Sequence, residues 1–268
     1  MAPLKLASCM AENTEVVCQS IATYFRAQLG IQTEYVSGIP WQERERLFDR
    51  GEIQILWLCG LPYVHKADLR ESDMELLAVP VPADLRSQGR AVYFSDVIVK
   101  KQSPFQTFED LRGASWAYNE PRSHSGYNVV RAYLGERGET AGFFARVVES
   151  GAHQTSVQMI LDGDVDGSAI DSTVLEWLQQ RNVSIREQTR VIQTLGPSPI
   201  PPWVVAKRVP ESIRRQLRAL LLRMGDDPLG RSILDEAGLL GFSDAQDSDY
   251  DPIRRMARVA DQVFLSAC

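Results

Sequence analysis

The chain has 268 residues, 44% hydrophobic and 24% charged, enough for one large domain or two ordinary lobes with cores of their own. Its net charge of −6 excludes the basic surface that nucleic-acid binding requires, yet a small anion can still be held by local dipoles. No apolar run approaches the roughly 18 residues of a membrane span.

The start, Met1-Ala2-Pro3-Leu4-Lys5-Leu6, has neither the basic nor the apolar region of a leader. A cytoplasmic chain and a chain whose leader has been cut away both fit. Cys9, Cys18, Cys59 and Cys268 show no CxxC pairing, so free thiols are expected. The three histidines are far apart in sequence, and no metal site is expected.

Residues 4–8 predict a strand. Residues 14–29 predict an amphipathic helix, with Val16, Val17, Ile21, Tyr24, Phe25 and Leu29 at helical spacing and Gly30 as the stop. A strand at 32–36, a helix at 41–49 and a strand at 53–58 follow, the last running into Gly60-Leu61-Pro62-Tyr63. Strands at 75–81 and 91–99 come next, then a short helix at 107–111. Such alternation at short intervals predicts an α/β protein with a parallel sheet.

Residues 118–134 read as strand end, tight loop and helix. The apolar run 114–118 breaks at Pro121, Ser123-His124-Ser125-Gly126 follows, and Val129, Val130, Tyr133 and Leu134 recur at helical spacing. Hydroxyls and an imidazole at a helix N-terminus suit an anion, because unpaired N–H groups and the positive dipole end gather there. Ordinary capping by serine is the competing explanation.

Further strands are expected at 144–149, 167–170 and 190–195, with helices at 155–162 and 172–180. The Pro-rich stretch 196–202 precedes the apolar run 203–206. The remainder is helical: one helix from Pro210 with Ile213, Leu217, Leu220, Leu221 and Met224 on one face, a turn at 229–237 and a last helix at 253–264. Residues 1–92 plus 205–268 are expected to make one discontinuous lobe and 97–195 a second. The chain would cross near 93–99 and 199–206, a hinge with a ligand cleft between the lobes.

Four further features are candidates for ligand contact. His153, in Gly151-Ala152-His153, sits where a helix begins and can donate to an anionic oxygen. Two roles fit Asp171 at the end of a strand: hydrogen bonding to a ligand, or capping the helix that follows. Tyr63 and Tyr93 lie at strand edges and can present a hydroxyl while the ring packs. Trp41 and Trp57 suit either an apolar wall or the core. No catalytic constellation emerges, since Ser123 lacks a G-x-S-x-G elbow and no Cys–His pair is suggested. Neither GxGxxG nor a P-loop lysine is present, so no cofactor is expected.

The ordered set Tyr93-Phe-Ser-Asp-Val-Ile-Val-Lys, Phe108-Glu-Asp-Leu-Arg-Gly113, Ser123-His-Ser-Gly126, Gly151-Ala-His153, Gly163-Asp-Val-Asp166 and Ile170-Asp-Ser172 resembles the phosphonate-binding family. Its members are substrate-binding proteins of phosphate, phosphite and phosphonate ABC transporters. The tail agrees, with Ser198-Pro-Ile-Pro-Pro202, Asp226-Asp-Pro-Leu-Gly230 and Asp249-Tyr-Asp-Pro-Ile253. The resemblance implies a two-lobed type II periplasmic-binding-protein fold with two crossover hinge strands, closing on its ligand. It implies ligand contacts at Ser123, His124, Ser125, Tyr93 and His153, and less directly at Asp171 and Trp41. His124 departs from the usual threonine, adding bulk and a candidate positive charge beside the anion. Trp41 stands where a tyrosine is usual and favours an apolar or aromatic substituent.

The function these residues imply is capture of a small phosphorus oxyanion for ABC-type uptake or sensing, without catalysis, by a monomer whose partner is an ABC permease. The resemblance places such a protein outside the cytoplasm. The alternative is a leaderless cytoplasmic enzyme on the same fold, acting on a small anionic metabolite.

Overall fold

Residues 3–69 and 72–265 are described in the computed structural model of this chain; Cys268 lies outside them. The chain divides into two units, Met1–Val92 with Pro199–Tyr250 and Tyr93–Ser198 with Asp251–Cys268.

In chain order, unit 1 begins with β1 (Leu4–Ser8), α1 (Glu15–Leu29), β2 (Thr33–Tyr35), α2 (Trp41–Arg50), β3 (Ile55–Trp57), α3 (Gly60–Ala67) and β4 (Met74–Pro82). Unit 2 follows with β5 (Val92–Lys100), β6 (Ser115–Tyr118), α4 (Val129–Gly135), β7 (Arg146–Glu149), α5 (His153–Asp162), β8 (Gly167–Asp171), α6 (Ser172–Arg181), α7 (Val183–Gln188) and β9 (Thr189–Pro199). Unit 1 is completed by β10 (Trp203–Ala206), α8 (Glu211–Leu222), α9 (Pro228–Glu236) and β11 (Leu239–Ser243), and unit 2 by α10 (Asp251–Ala260).

The apolar stripe read in the first helix is what α1 buries: Val17, Cys18, Ile21, Ala22, Tyr24 and Phe25. Val16 lies off that stripe and stays exposed. The helix ends at Gly30, whose φ of 66° is open to glycine at little cost, with its N–H on the Arg26 carbonyl. Beneath it runs a six-stranded sheet in the order β11-β4-β10-β3-β1-β2. Its buried face carries Leu6, Ile55 and Trp203, which pack with Leu217, Leu221 and Leu234. Each fully buried side chain of this size stabilises the unit by about 1.5–3 kcal/mol.

The expected parallel sheet is corrected to a mixed one. β1 pairs parallel with β2 and β3, but β10 lies antiparallel between β3 and β4, and β11 is antiparallel to β4. The cause is connectivity. β10 and β11 arrive more than a hundred residues after β4 and are not tied to it by a crossover helix, so nothing enforces the parallel direction.

Unit 2 has a five-stranded sheet in the order β7-β6-β8-β5-β9. β6 is parallel to β7 and β8, while β5 runs antiparallel to β8 and sets Ser95 opposite Asp171. Trp116 stacks on Phe144 at 4.6 Å between ring centroids, and both are fully buried beside Phe108.

The last helix also departs from the sequence expectation, which placed it in the first lobe. α10 packs on α4 in unit 2. Val263, Leu265 and Met256 join the core that holds Val130 and Leu134, and Arg131 Nε donates to the Val263 carbonyl at 2.8 Å. A Cβ on Gly135 would stand 2.6 Å from Val259 Cγ1, so the absence of a side chain there permits the approach. The apolar face of α10 needed a cover, and α4 supplies one.

Candidate anion-binding site

The site is built where β6 gives way to α4. Ser123 is extended (φ −70°, ψ 131°), and its Oγ accepts from the Gly126 N–H at 3.1 Å. The five residues His124–Asn128 then form a wide helical turn, in which Asn128 N–H reaches the Ser123 carbonyl at 3.0 Å and Val129 N–H the His124 carbonyl. Turns of this i to i+5 kind are rare and are frequently found at functional sites. Widening the turn leaves its first amides without intrahelical carbonyls, and the positive dipole end points the same way.

His124 is fully buried. The Asn128 amide nitrogen lies 3.1 Å from its Nδ1 and donates there, so Nε2 carries the proton and donates to Ser198 Oγ at 2.9 Å. Burial pulls the ring from its ordinary 6.5 down to about 3. It is therefore neutral near pH 7, without the positive charge that the sequence suggested; Nε2 ties the turn to β9 and Nδ1 braces it from within through Asn128.

Ser125 Oγ lies 3.2 Å from Nε2 of His153, the first residue of α5. Ala152 gives that helix no side-chain cap. Burial takes the His153 ring down to about 4, and its Nδ1, buried, meets no hydrogen-bond partner among the described residues. A Cβ on Gly126 would fall 2.0 Å from Asn119 Oδ1 and 3.1 Å from His153 Cε1. Glycine is what allows the turn, Asn119 and His153 to meet.

Tyr93 is buried at the start of β5, its ring 6.5 Å from that of His124. Asp171 is buried at the end of β8, and its Oδ1 accepts from Thr173 N–H at 2.9 Å and Thr173 Oγ1 at 2.7 Å. Of its two sequence roles, the helix cap is the one its contacts display. Burial, opposed by those Thr173 bonds and aided by the Asp96 charge, raises its carboxyl from 3.8 to about 6. Asp96 itself accepts from Thr194 Oγ1 at 2.8 Å.

Trp41 and Tyr63 belong to unit 1. Trp41 heads α2, partly buried, with its carbonyl 3.5 Å from Cys9 Sγ. Tyr63 is buried in α3, donates to Asp247 Oδ1 at 2.8 Å and packs on Tyr250 at 4.5 Å. Trp57 stacks on Trp203 at 5.3 Å and donates to the Pro201 carbonyl at 2.9 Å, which assigns it to the core.

Unit 2 thus brings Ser123, His124, Ser125 and His153 together around one turn, with Tyr93 beside His124. Sequence reasoning missed Asn119, Asn128 and Ser198. The spacing of four between His124 and Asn128 was a readable helical signal. Ser198 is 74 positions from His124 and carried no such sign. Among the described residues, no group of three or more His, Cys, Asp or Glu is placed to hold a metal ion.

A family model described as ABC transporter, phosphonate, periplasmic substrate-binding protein matches residues 10–250. The chain is similar to the phosphonates-binding periplasmic protein of Escherichia coli K12, 25% identical over 215 residues, which are 77% of this chain and 61% of that protein. It therefore spans about three fifths of that relative's length. Among solved structures, the binding protein component of an ABC phosphonate transporter from Pseudomonas aeruginosa has a TM-score of 0.84 at 18% identity, covering 97% of this chain and 86% of its own. A protein from Prochlorococcus marinus, solved in complex with methylphosphonate, has a TM-score of 0.83 at 17% identity over 97% of this chain and 99% of its own. At these identities the solved structures speak for the fold, which is that of type II periplasmic binding proteins.

Proposed function

Because the chain belongs to the family of periplasmic substrate-binding proteins of phosphonate ABC transporters, we propose that it captures a small phosphorus oxyanion and passes it to an ABC permease. The observation that supports this most is the turn 123–128 joined to the start of α5. Ser123 Oγ accepts from Gly126 and keeps its own O–H to donate. Ser125 and His153 add a second polar pair at the same place. Hydrogen bonds from such groups to an anion are charge-assisted, and shorter and stronger than neutral ones. His124 contributes through the backbone of the turn, because its ring is engaged elsewhere. The proposed ligand is a phosphonate, phosphite or phosphate-like species, bound without bond making or breaking.

Calorimetry and thermal melting with methylphosphonate, phosphite, phosphate and sulfate test the proposal. A phosphorus oxyanion at a hundred times its dissociation constant stabilises the folded chain by about 2.7 kcal/mol. At least one is expected to raise the melting temperature, and the double variant Ser123→Ala, Ser125→Ala is expected to abolish that rise. No response to any of the three phosphorus ligands would overturn the proposal.

A further inference from the structure

The pairing of Ser125 with His153 limits how many hydrogen bonds the site can give. A neutral imidazole carries one N–H. With the proton on Nε2, the ring donates to Ser125 Oγ, the serine O–H is left for an anion, and Nδ1 presents a bare lone pair. With the proton on Nδ1, that N–H is available, but Nε2 now accepts the serine O–H. In either tautomer the pair offers an anion one donor. Only the imidazolium offers two, since both nitrogens then donate and the serine hydroxyl is released.

The geometry makes this count matter. His153 is only 6% exposed, and its Nδ1 has no hydrogen-bond partner among the described residues. Cε1, the atom bonded to both nitrogens, is the one that faces Gly126. Cε1 and Nε2 therefore both lie against the turn. Before an anion binds, the second proton is disfavoured by burial. The attraction of an arriving double negative charge opposes that effect.

We infer that the Ser125–His153 pair takes up a proton together with a doubly charged oxyanion, which makes capture proton-linked. The inference rests on the reading that this turn binds such an anion. α5 packs against β6, β8, α6 and α7. The titratable and charged groups on these elements and on the turn are Tyr118, Asp171, His124, Tyr127, Glu176, Arg181, Arg186 and Glu187. None contributes to the depression of the free ring to about 4, which comes from burial. The bound anion is then the dominant charge beside the ring. By linkage, whatever the anion does to the proton affinity of His153, the proton does equally to the anion's affinity.

The test is carbon-13 NMR of the histidine Cε1 resonances in the whole chain, titrated over pH with and without saturating methylphosphonate, and then phosphite. Variants His65→Gln and His153→Gln assign the signals. The His153 midpoint is expected to rise by about 2 pH units or more on saturation. An opposite charge at contact distance has an effect of this size, equal to roughly a hundredfold in anion affinity. Superimposable titrations with bound and absent ligand would overturn this inference alone. If neither these probes nor phosphate binds at any pH, the capture reading falls, and this inference with it.

Discussion

Replacing His124 by threonine separates a ring that holds the turn from one that touches ligand. The change removes both ring bonds, leaving Ser198 Oγ and the Asn128 amide without those partners in a buried setting. Orphaned buried polar groups cost about 1–3 kcal/mol each, and the smaller side chain leaves part of the ring's volume empty. Together these put the loss near neutral pH at about 3 kcal/mol, with the threonine hydroxyl recovering a part. Its pH dependence is the sharper signature. The folded ring titrates at about 3, below its ordinary 6.5, so the unfolded chain takes the proton first. The stability that goes with the neutral ring is complete above that ordinary value. It declines as pH falls, by about 1.4 kcal/mol per unit, until the folded ring titrates too. Threonine carries no such penalty, so the variant's deficit should shrink by about 2 kcal/mol between roughly pH 7.5 and pH 5. Urea unfolding of both proteins at the two pH values measures it. A deficit that stays constant, or grows in acid, would refute a buried neutral ring.

Four other outcomes are expected. Ser123→Ala should lower the stability of unit 2 by about 1 kcal/mol in urea unfolding, because Ser123 Oγ accepts from Gly126 N–H; an unchanged midpoint would deny the cap. Gly126→Ala should weaken methylphosphonate binding at least tenfold in calorimetry and cost about 1–3 kcal/mol, since its Cβ would meet Asn119 Oδ1 at 2.0 Å. Gly135→Ala should speed amide exchange in Asp251–Ala260, because the new methyl would press on Val259; unchanged protection there would count against the packing of α10 on α4. Asp171→Asn keeps a good cap and removes a buried charge. The folded carboxyl titrates at about 6, above its ordinary 3.8, so ionisation weakens the native state as pH rises through that interval. The variant should therefore be more stable than the parent by about 1–2 kcal/mol near neutrality, with the gain fading toward pH 4, and a loss at neutrality would contradict the sign.

The parts of the fold legible in the sequence were those with their own periodicity. α1 has an apolar stripe and, like α2, a glycine stop, and both spans were read to within a residue; α8 has the stripe, and its start was read to within a residue. α3 was missed because Gly60 and Pro62 are poor helix formers, and the burial of Gly60–Val64 outweighs their propensity. α7 has six residues and β11 reads Leu-Leu-Gly-Phe-Ser, both too short for a period to declare itself. The position of β10 between β3 and β4 is a non-local pairing that no local pattern encodes. The site divides in the same way. The serines of the turn announced themselves through the helix that follows. The engagement of His124 was hidden, because one of its partners arrives on β9 from far along the chain.

That late arrival of β10 has a consequence for how the chain is made. Until residues 203–206 leave the ribosome, β3 and β4 have no strand between them, and each exposes an unpaired edge. Unit 2 waits longer still, because α4 is uncovered until residues 251–260 emerge. Neither unit can close from its own first segment, so the usual order of N-terminal domain first is unavailable. Most of the polypeptide must be synthesised before either core is sealed. Through that interval the nascent chain carries open sheet edges and a bare apolar helix face, the features on which chaperone holdases act.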